Sequence, residues 1–173
     1  MEKLRQQLKS EKNILNHYIA NKNTHLIIPA LHMDYESIVL ERENVYCVRQ
    51  NPLNIIKATC EDDWTTYEGR KNIIAKRLNL PHKTPMMLSQ EDKIFAYPTL
   101  SPKKYNCSWI FLHIVVETGK EGKHGVLLIH DRMKVKLDVS YYILQAQLEK
   151  VLILRHAVQG NEKNLYKNMP LDI

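Results

Sequence analysis

Leu4, Leu8, Leu15 and Tyr18 or Ile19 recur near helical spacing, with lysines and glutamates between them. That periodicity predicts an amphipathic N-terminal helix, an extension over about residues 1–20. Beyond Asn21 the pattern shortens. His25 to Leu31, Ser37 to Glu41 and Val45 to Arg49 are Ile-, Val- and Tyr-rich segments between turn formers, and read as strands closed by Asn51-Pro52. Thr65 and Glu68 stand in the T-x-x-E relation of a capping box, predicting a helix from about Thr66 to Leu78. Tyr67, Ile74 and Leu78 form its apolar stripe, Arg70 and Arg77 a flanking ridge, and Leu80-Pro81 its stop.

The second half reads as antiparallel sheet followed by a long helix. Lys93 to Tyr97 and Cys107 to Glu117 are expected strands, the latter apolar on both faces as a central strand would be. Val126 to His130, a turn at Asp131-Arg132, and Met133 to Val139 predict a hairpin with Met133, Val135, Leu137 and Val139 facing inward. Ser140 as N-cap and Gly160 as C′ bracket a helix of about eighteen residues. The expected fold class is α+β: one domain over 1–173, mostly antiparallel sheet, with an N-terminal helix, a mid-chain basic helix and a long C-terminal helix.

Charge adds a direction to this outline. The chain has 25 Lys and Arg against 19 Asp and Glu. Residues 1–51 hold seven basic and six acidic side chains, 52–118 nine and seven, and 119–173 nine and six. A rising surplus of this kind fits a polyanionic partner. No apolar leader follows Met1, and the longest apolar run, Trp109 to Val116, is far shorter than the ~18 residues a membrane span needs, so a cytoplasmic chain with no membrane partner is expected. Cys47, Cys60 and Cys107 are odd in number and widely spaced, which suits reduced thiols.

Neither the cysteines nor the eight histidines fall at metal-ligand spacing, and His113 reads as a core histidine. No phosphate-cradling glycine loop or nucleophile elbow is present, so no metal, cofactor or enzyme activity is expected. Glu61-Asp62-Asp63 complements the dipole of the helix after it. Three basic elements remain. They are the ridge Arg70, Lys71, Lys76 and Arg77 continued by His82-Lys83; Lys103 and Lys104 in IFAYPTLSPKKYNCSW; and Lys120 and Lys123 with the outward Lys134 and Lys136.

The motifs NPLNIIKATC, YEGRK, HKTPMM, IFAYPTLS and the C-S-W of Cys107 to Trp109 occur in one order across Val45 to Val116. Together with the weaker SYYILQ, this stretch resembles the core of the competence transcription factor family, ComK. The matching positions are Pro52, Leu53, Ile55, Cys60, Tyr67, Gly69, Arg70, Lys71, His82, Lys83, Pro85, Ile94, Phe95, Pro98, Thr99, Leu100, Ser101, Cys107 and Trp109. The resemblance implies a cytoplasmic bacterial activator of DNA-uptake genes. It implies binding to paired A/T-rich boxes, largely through the minor groove, as two dimers. It also implies recruitment by a proteolytic adaptor through a C-terminal segment, to which Asn164 to Lys167 bears a faint likeness. The alternative reading is a shortened relative that forms mixed oligomers, or binds the adaptor, without activating transcription.

On the leading reading Leu100 to Tyr105 enters or borders the minor groove of double-stranded DNA, with Lys103 and Lys104 on phosphates or the groove floor. Arg70, Lys71, Lys76, Arg77 and Lys83, with Lys134 and Lys136, would hold neighbouring backbone. Leu144, Leu148, Val151 and Val158 form one stripe of the last helix, while Ile143, Ile153 and Leu154 lie off it. Such a helix is either fully buried or shared with a partner in a homodimer or tetramer.

Overall fold

The computed structural model describes residues 14–129 and 133–167. Among them ten strands form two sheets, and three helices pack against these. The strands are β1 (Ile14–Leu15), β2 (Thr24–Pro29), β3 (Ser37–Glu41), β4 (Val45–Val48), β5 (Met86–Ser89), β6 (Ile94–Pro98), β7 (Trp109–Phe111), β8 (Val115–Glu121), β9 (His124–Ile129) and β10 (Met133–Leu137). The helices are α1 (Pro52–Asp62), α2 (Tyr67–Leu78) and α3 (Tyr141–Lys167). The larger sheet runs β1-β4-β3-β2-β7-β6-β5, antiparallel except for β1 on β4; the smaller is β10-β9-β8.

This corrects the expected α+β class: the core is mostly β-sheet, and the helices are not placed as expected. The first part of the expected N-terminal helix, residues 1–13, lies outside the described residues. The rest is not helical. Leu15 and Tyr18 satisfy backbone groups outward: Arg49 N–H donates to the Leu15 carbonyl at 2.9 Å, and Tyr18 N–H to Gln50 Oε1 at 2.8 Å. Tyr18 and Ala20 are buried with Ile19 exposed between them, a period of two rather than 3.6. Tertiary hydrogen bonds have overridden a local pattern that two or three leucines alone could not enforce.

Helix α1 stands where a strand section was expected only to close. Asn51 accepts from Asn54 N–H and Pro52 sits at the first helical position, a favoured way to start a helix. Ile55, Ile56, Thr59 and Cys60 form its buried face. At α2 the cap is Thr66, whose hydroxyl accepts from Gly69 N–H, rather than the Thr65–Glu68 box. Thr65 instead donates its hydroxyl to the Cys60 carbonyl. The helix ends at Asn79 in the left-handed conformation, which Asn tolerates.

The long apolar segment after Cys107 is two strands, not one. β7 belongs to the large sheet and β8 to the small sheet, with a 3-10 turn, Leu112–Ile114, between them. Its unbroken hydrophobicity reflects that passage from one sheet to the other. His113, expected in the core, is exposed on the turn with its ring edge-on to Phe111 and His25. In β10 the alternation holds at Val135 and Leu137, whereas Met133 is exposed; the expected turn at Asp131-Arg132 lies outside the described residues. Ser140 starts α3 as expected, its Oγ accepting from Ile143 N–H, but the helix continues through Gly160 to Lys167. α3 packs on β5 and β6 of one sheet and on β8 and β9 of the other, and so bridges them. No described helix is long and apolar enough to cross a membrane.

Candidate nucleic-acid interface

Strand pairing sets three connections at one end of the large sheet. Ile27 pairs with Trp109, Pro98 with Trp109, and Ser37 with Val48, so the β2–β3 loop, the β6–β7 loop and the start of α1 all emerge there. They line a cleft of about 640 Å³ whose walls include Leu31, Met33, Pro52, Pro102, Lys104 and Tyr105.

The β6–β7 loop is closed at its neck and turned at its tip. Thr99 N–H donates to the Ser108 carbonyl at 2.9 Å, and Ser108 N–H returns a bond to the buried Thr99 Oγ1 at 3.0 Å. Beyond the neck Lys104 N–H reaches the Ser101 carbonyl at 2.8 Å, a turn with Pro102 at its second position, where its fixed φ fits. Cys107 N–H bonds the Lys104 carbonyl and its Sγ the Leu100 carbonyl, so the tip is tied down on both sides. The result projects Lys103, Lys104 and Tyr105 into solvent while Leu100 packs against the core.

The apolar side chains at the rim are therefore not the expected Leu100. They are Tyr105, 76% exposed, and Leu31 and Met33, which are 91% and fully exposed across the cleft. Exposed aliphatic side chains in pairs at a loop tip are unusual where a monomeric surface could bury or replace them. The polar neighbours of this lip are mixed, since His32 and Asp34 pair at 3.7 Å and Glu36 lines the cleft. Sequence reading passed over PALHMDYES because it lacks basic residues; only strand pairing carries it beside the lysines.

The remaining basic positions separate by surroundings. Arg70, with 11% of its side chain exposed, pairs with the Asp63 carboxylate and donates to the carbonyls of Met87 and Asp63 and to Thr65 Oγ1. Its fork is engaged within the fold, joining the α1–α2 loop to β5. Lys71 pairs with Glu68 at 3.5 Å one turn away, a surface contact weak enough to exchange. Lys76 and Arg77 are exposed in the last turn of α2, where cations complement the helix dipole. Lys83 lies at the foot of the β6–β7 loop, near enough to Cys107 for its charge to act on the thiol.

Lys134 and Lys136 belong to the small sheet and both bond the Glu121 carboxylate, at 2.8 and 3.2 Å. Hydrogen bonds and charge from the two ammonium groups hold the Glu121 carboxyl below the usual carboxylate range. Lys120 lies over the Tyr142 ring at 5.9 Å. Two lysines sharing one carboxylate offer less free charge than Lys103 and Lys104, which no described carboxylate meets.

Nothing at this end of the molecule is arranged for catalysis. The three thiols are buried and free; burial pushes the Cys60 thiol up to about 11 and raises that of Cys107, opposite to what a nucleophile needs. No cluster of His, Cys, Asp and Glu that could hold a metal occurs among the described residues.

A family model described as ComK protein matches residues 15–163. The competence transcription factor of Bacillus subtilis (strain 168) is 27% identical over 124 residues, which cover 71% of this chain. The matched stretch spans 65% of that relative's length. No solved structure matches.

Proposed function

The chain belongs to the ComK family, and from that premise we propose that it is a DNA-binding transcription regulator of competence genes. Its target is paired A/T-rich boxes met largely through the minor groove. The observation that carries this reading is the stiffened β6–β7 loop presenting Lys103, Lys104 and Tyr105 beside the exposed Leu31 and Met33. Lysines at such a tip neutralise phosphates and release counterions, which supplies affinity without sequence information. A narrow, strongly negative A-tract groove adds preference, and apolar side chains at the same edge suit contact with base steps. Lys71, Lys76, Arg77 and Lys83 extend the positive surface, with Lys134 and Lys136 in a lesser role. Paired boxes call for more than one copy of the chain, a homodimer or tetramer on DNA.

A titration at several salt concentrations tests the reading, with paired A/T boxes set against a G·C-rich duplex and a minor-groove ligand as competitor. Tighter binding to the A/T duplex, displaced by the ligand, is expected. In the double variant Lys103→Gln/Lys104→Gln the log–log salt slope should fall by roughly 1 to 2, about one per lost phosphate contact. Equal affinity for both duplexes would sink the sequence preference, and an unchanged slope would remove the loop from the interface.

A further inference from the structure

We propose that helix α3 contributes to the same surface: Lys150 and Lys83 together form a two-cation seat for one backbone phosphate, with Gln147 as the positioning residue. The inference rests on the DNA-binding reading and adds to it a helix nearly seventy positions downstream of the basic ridge.

Two residues one turn apart on α3 grip successive carbonyls of one loop. Gln147 is only 2% exposed, and its Nε2 donates both to the Lys83 carbonyl at 2.9 Å and to the Pro98 carbonyl at 2.8 Å. Lys150 Nζ donates to the neighbouring His82 carbonyl at 2.7 Å. Lys83 itself stands at φ 49°, a left-handed backbone that a lysine adopts only when its surroundings impose it. The clasp imposes it, because both carbonyls on that side of the loop are held by the helix.

The outcome is two ammonium groups close together with no counterion. Neither Lys83 nor Lys150 takes part in an ion pair among the described residues. Burial, and then the charge of Lys83, makes the Lys150 ammonium easier to deprotonate than an ordinary lysine. Like charges held together in this way cost energy in the free protein, and an anion between them removes that cost. Lys150 keeps two donors beyond its bond to His82, and Lys83 keeps three, enough to share the oxygens of a phosphate. Position selects a phosphodiester of the duplex. Gln147 bonds Pro98 immediately before the Thr99–Ser108 neck, so the seat lies at the foot of the loop whose tip carries Lys103 and Lys104.

Anisotropy titrations of the full chain with the A/T duplex, over a range of salt, test this with Lys150→Gln, Lys83→Gln, the double variant and Lys150→Arg. Each single Gln variant is expected to lower the salt slope by about 0.9. The double variant should lower it by no more than either single, because one phosphate is shared, and Lys150→Arg should keep the wild-type slope. Circular dichroism melts of each variant establish that it is folded. If Lys150→Gln and Lys83→Gln bind with wild-type slope while Lys103→Gln/Lys104→Gln does not, α3 has no part in the interface and the DNA reading stands. If the wild-type chain binds neither duplex, the reading fails and the phosphodiester seat with it. A third arm uses millimolar inorganic phosphate. A melting shift in the wild-type chain, lost in Lys150→Gln and unaccompanied by any change in duplex affinity, would make the seat a small-anion site and overturn the assignment to DNA.

Discussion

At Arg70 the guanidinium is spent on the Asp63 carboxylate and on the carbonyls of Asp63 and Met87, while Lys103, of the same charge, meets only solvent. Replacing Arg70 by Met should cost about 2–3 kcal/mol in urea unfolding, because the charged donor leaves several polar partners unsatisfied. The salt slope of DNA binding should stay at the wild-type value in the same variant, if it is studied below its unfolding midpoint. Leu31 and Met33 predict the reverse. Each is exposed and makes no core contact, so Leu31→Ser/Met33→Ser should leave stability within about 0.5 kcal/mol. Affinity for the A/T duplex, measured by anisotropy, should fall on the order of fivefold. Charge at a position is legible in sequence; whether that charge is already taken is not, since Asp63 and Met87 reach Arg70 only through the packing of α1 and α2 on β5.

Among elements, the β6–β7 loop was the most legible. Ser-Pro-Lys-Lys carries its own turn chemistry, and Thr99 and Ser108 close the neck without help from elsewhere. The start of α1 was equally local, with Asn51 and Pro52 as its signal, yet it was passed over because the preceding apolar segment drew the reading toward a strand boundary. β9 and α3 meet at Gly125. A Cβ there would lie 2.5 Å from Leu144 Cδ1, 3.0 Å from its Cγ and 3.2 Å from the Val139 carbonyl. Both the side chain and the backbone would have to give, so Gly125→Ala should destabilise the protein by about 1–3 kcal/mol in a thermal melt. No such penalty is expected at Gly119, where a Cβ has open space.

For the whole molecule, α3 is the member that makes two sheets one body. It packs on β5 and β6 on one side and on β8 and β9 on the other, with Leu144, Val151 and Leu154 buried. This accounts for its several apolar faces by core burial, leaving Ile153, about half exposed, as the main aliphatic position in view on its described turns. Unfolding should therefore be one cooperative transition rather than two. In a Trp64→Phe background, where the buried Trp109 is the remaining indole, fluorescence and far-UV circular dichroism should give the same midpoint. Separate midpoints would mean that the small sheet melts independently of the large one.

The sequence by itself determined the short strands, the α2 helix with its basic last turn, the proline-turned lysine loop and, through the order of its motifs, the family. These are local features: alternation, caps and turn residues act over a few positions, and the chain writes them directly. Tertiary structure alone decided that residues 14–20 extend rather than coil, that the run after Cys107 passes between two sheets, and that Arg70 turns inward. It also decided which distant residues meet, placing Leu31 and Met33 beside Tyr105, and Lys150 beside Lys83 under the clasp of Gln147. The physical reason is the same in each case. Backbone groups and charges must find partners somewhere, and when the nearest partner lies tens of residues away, no local pattern records it.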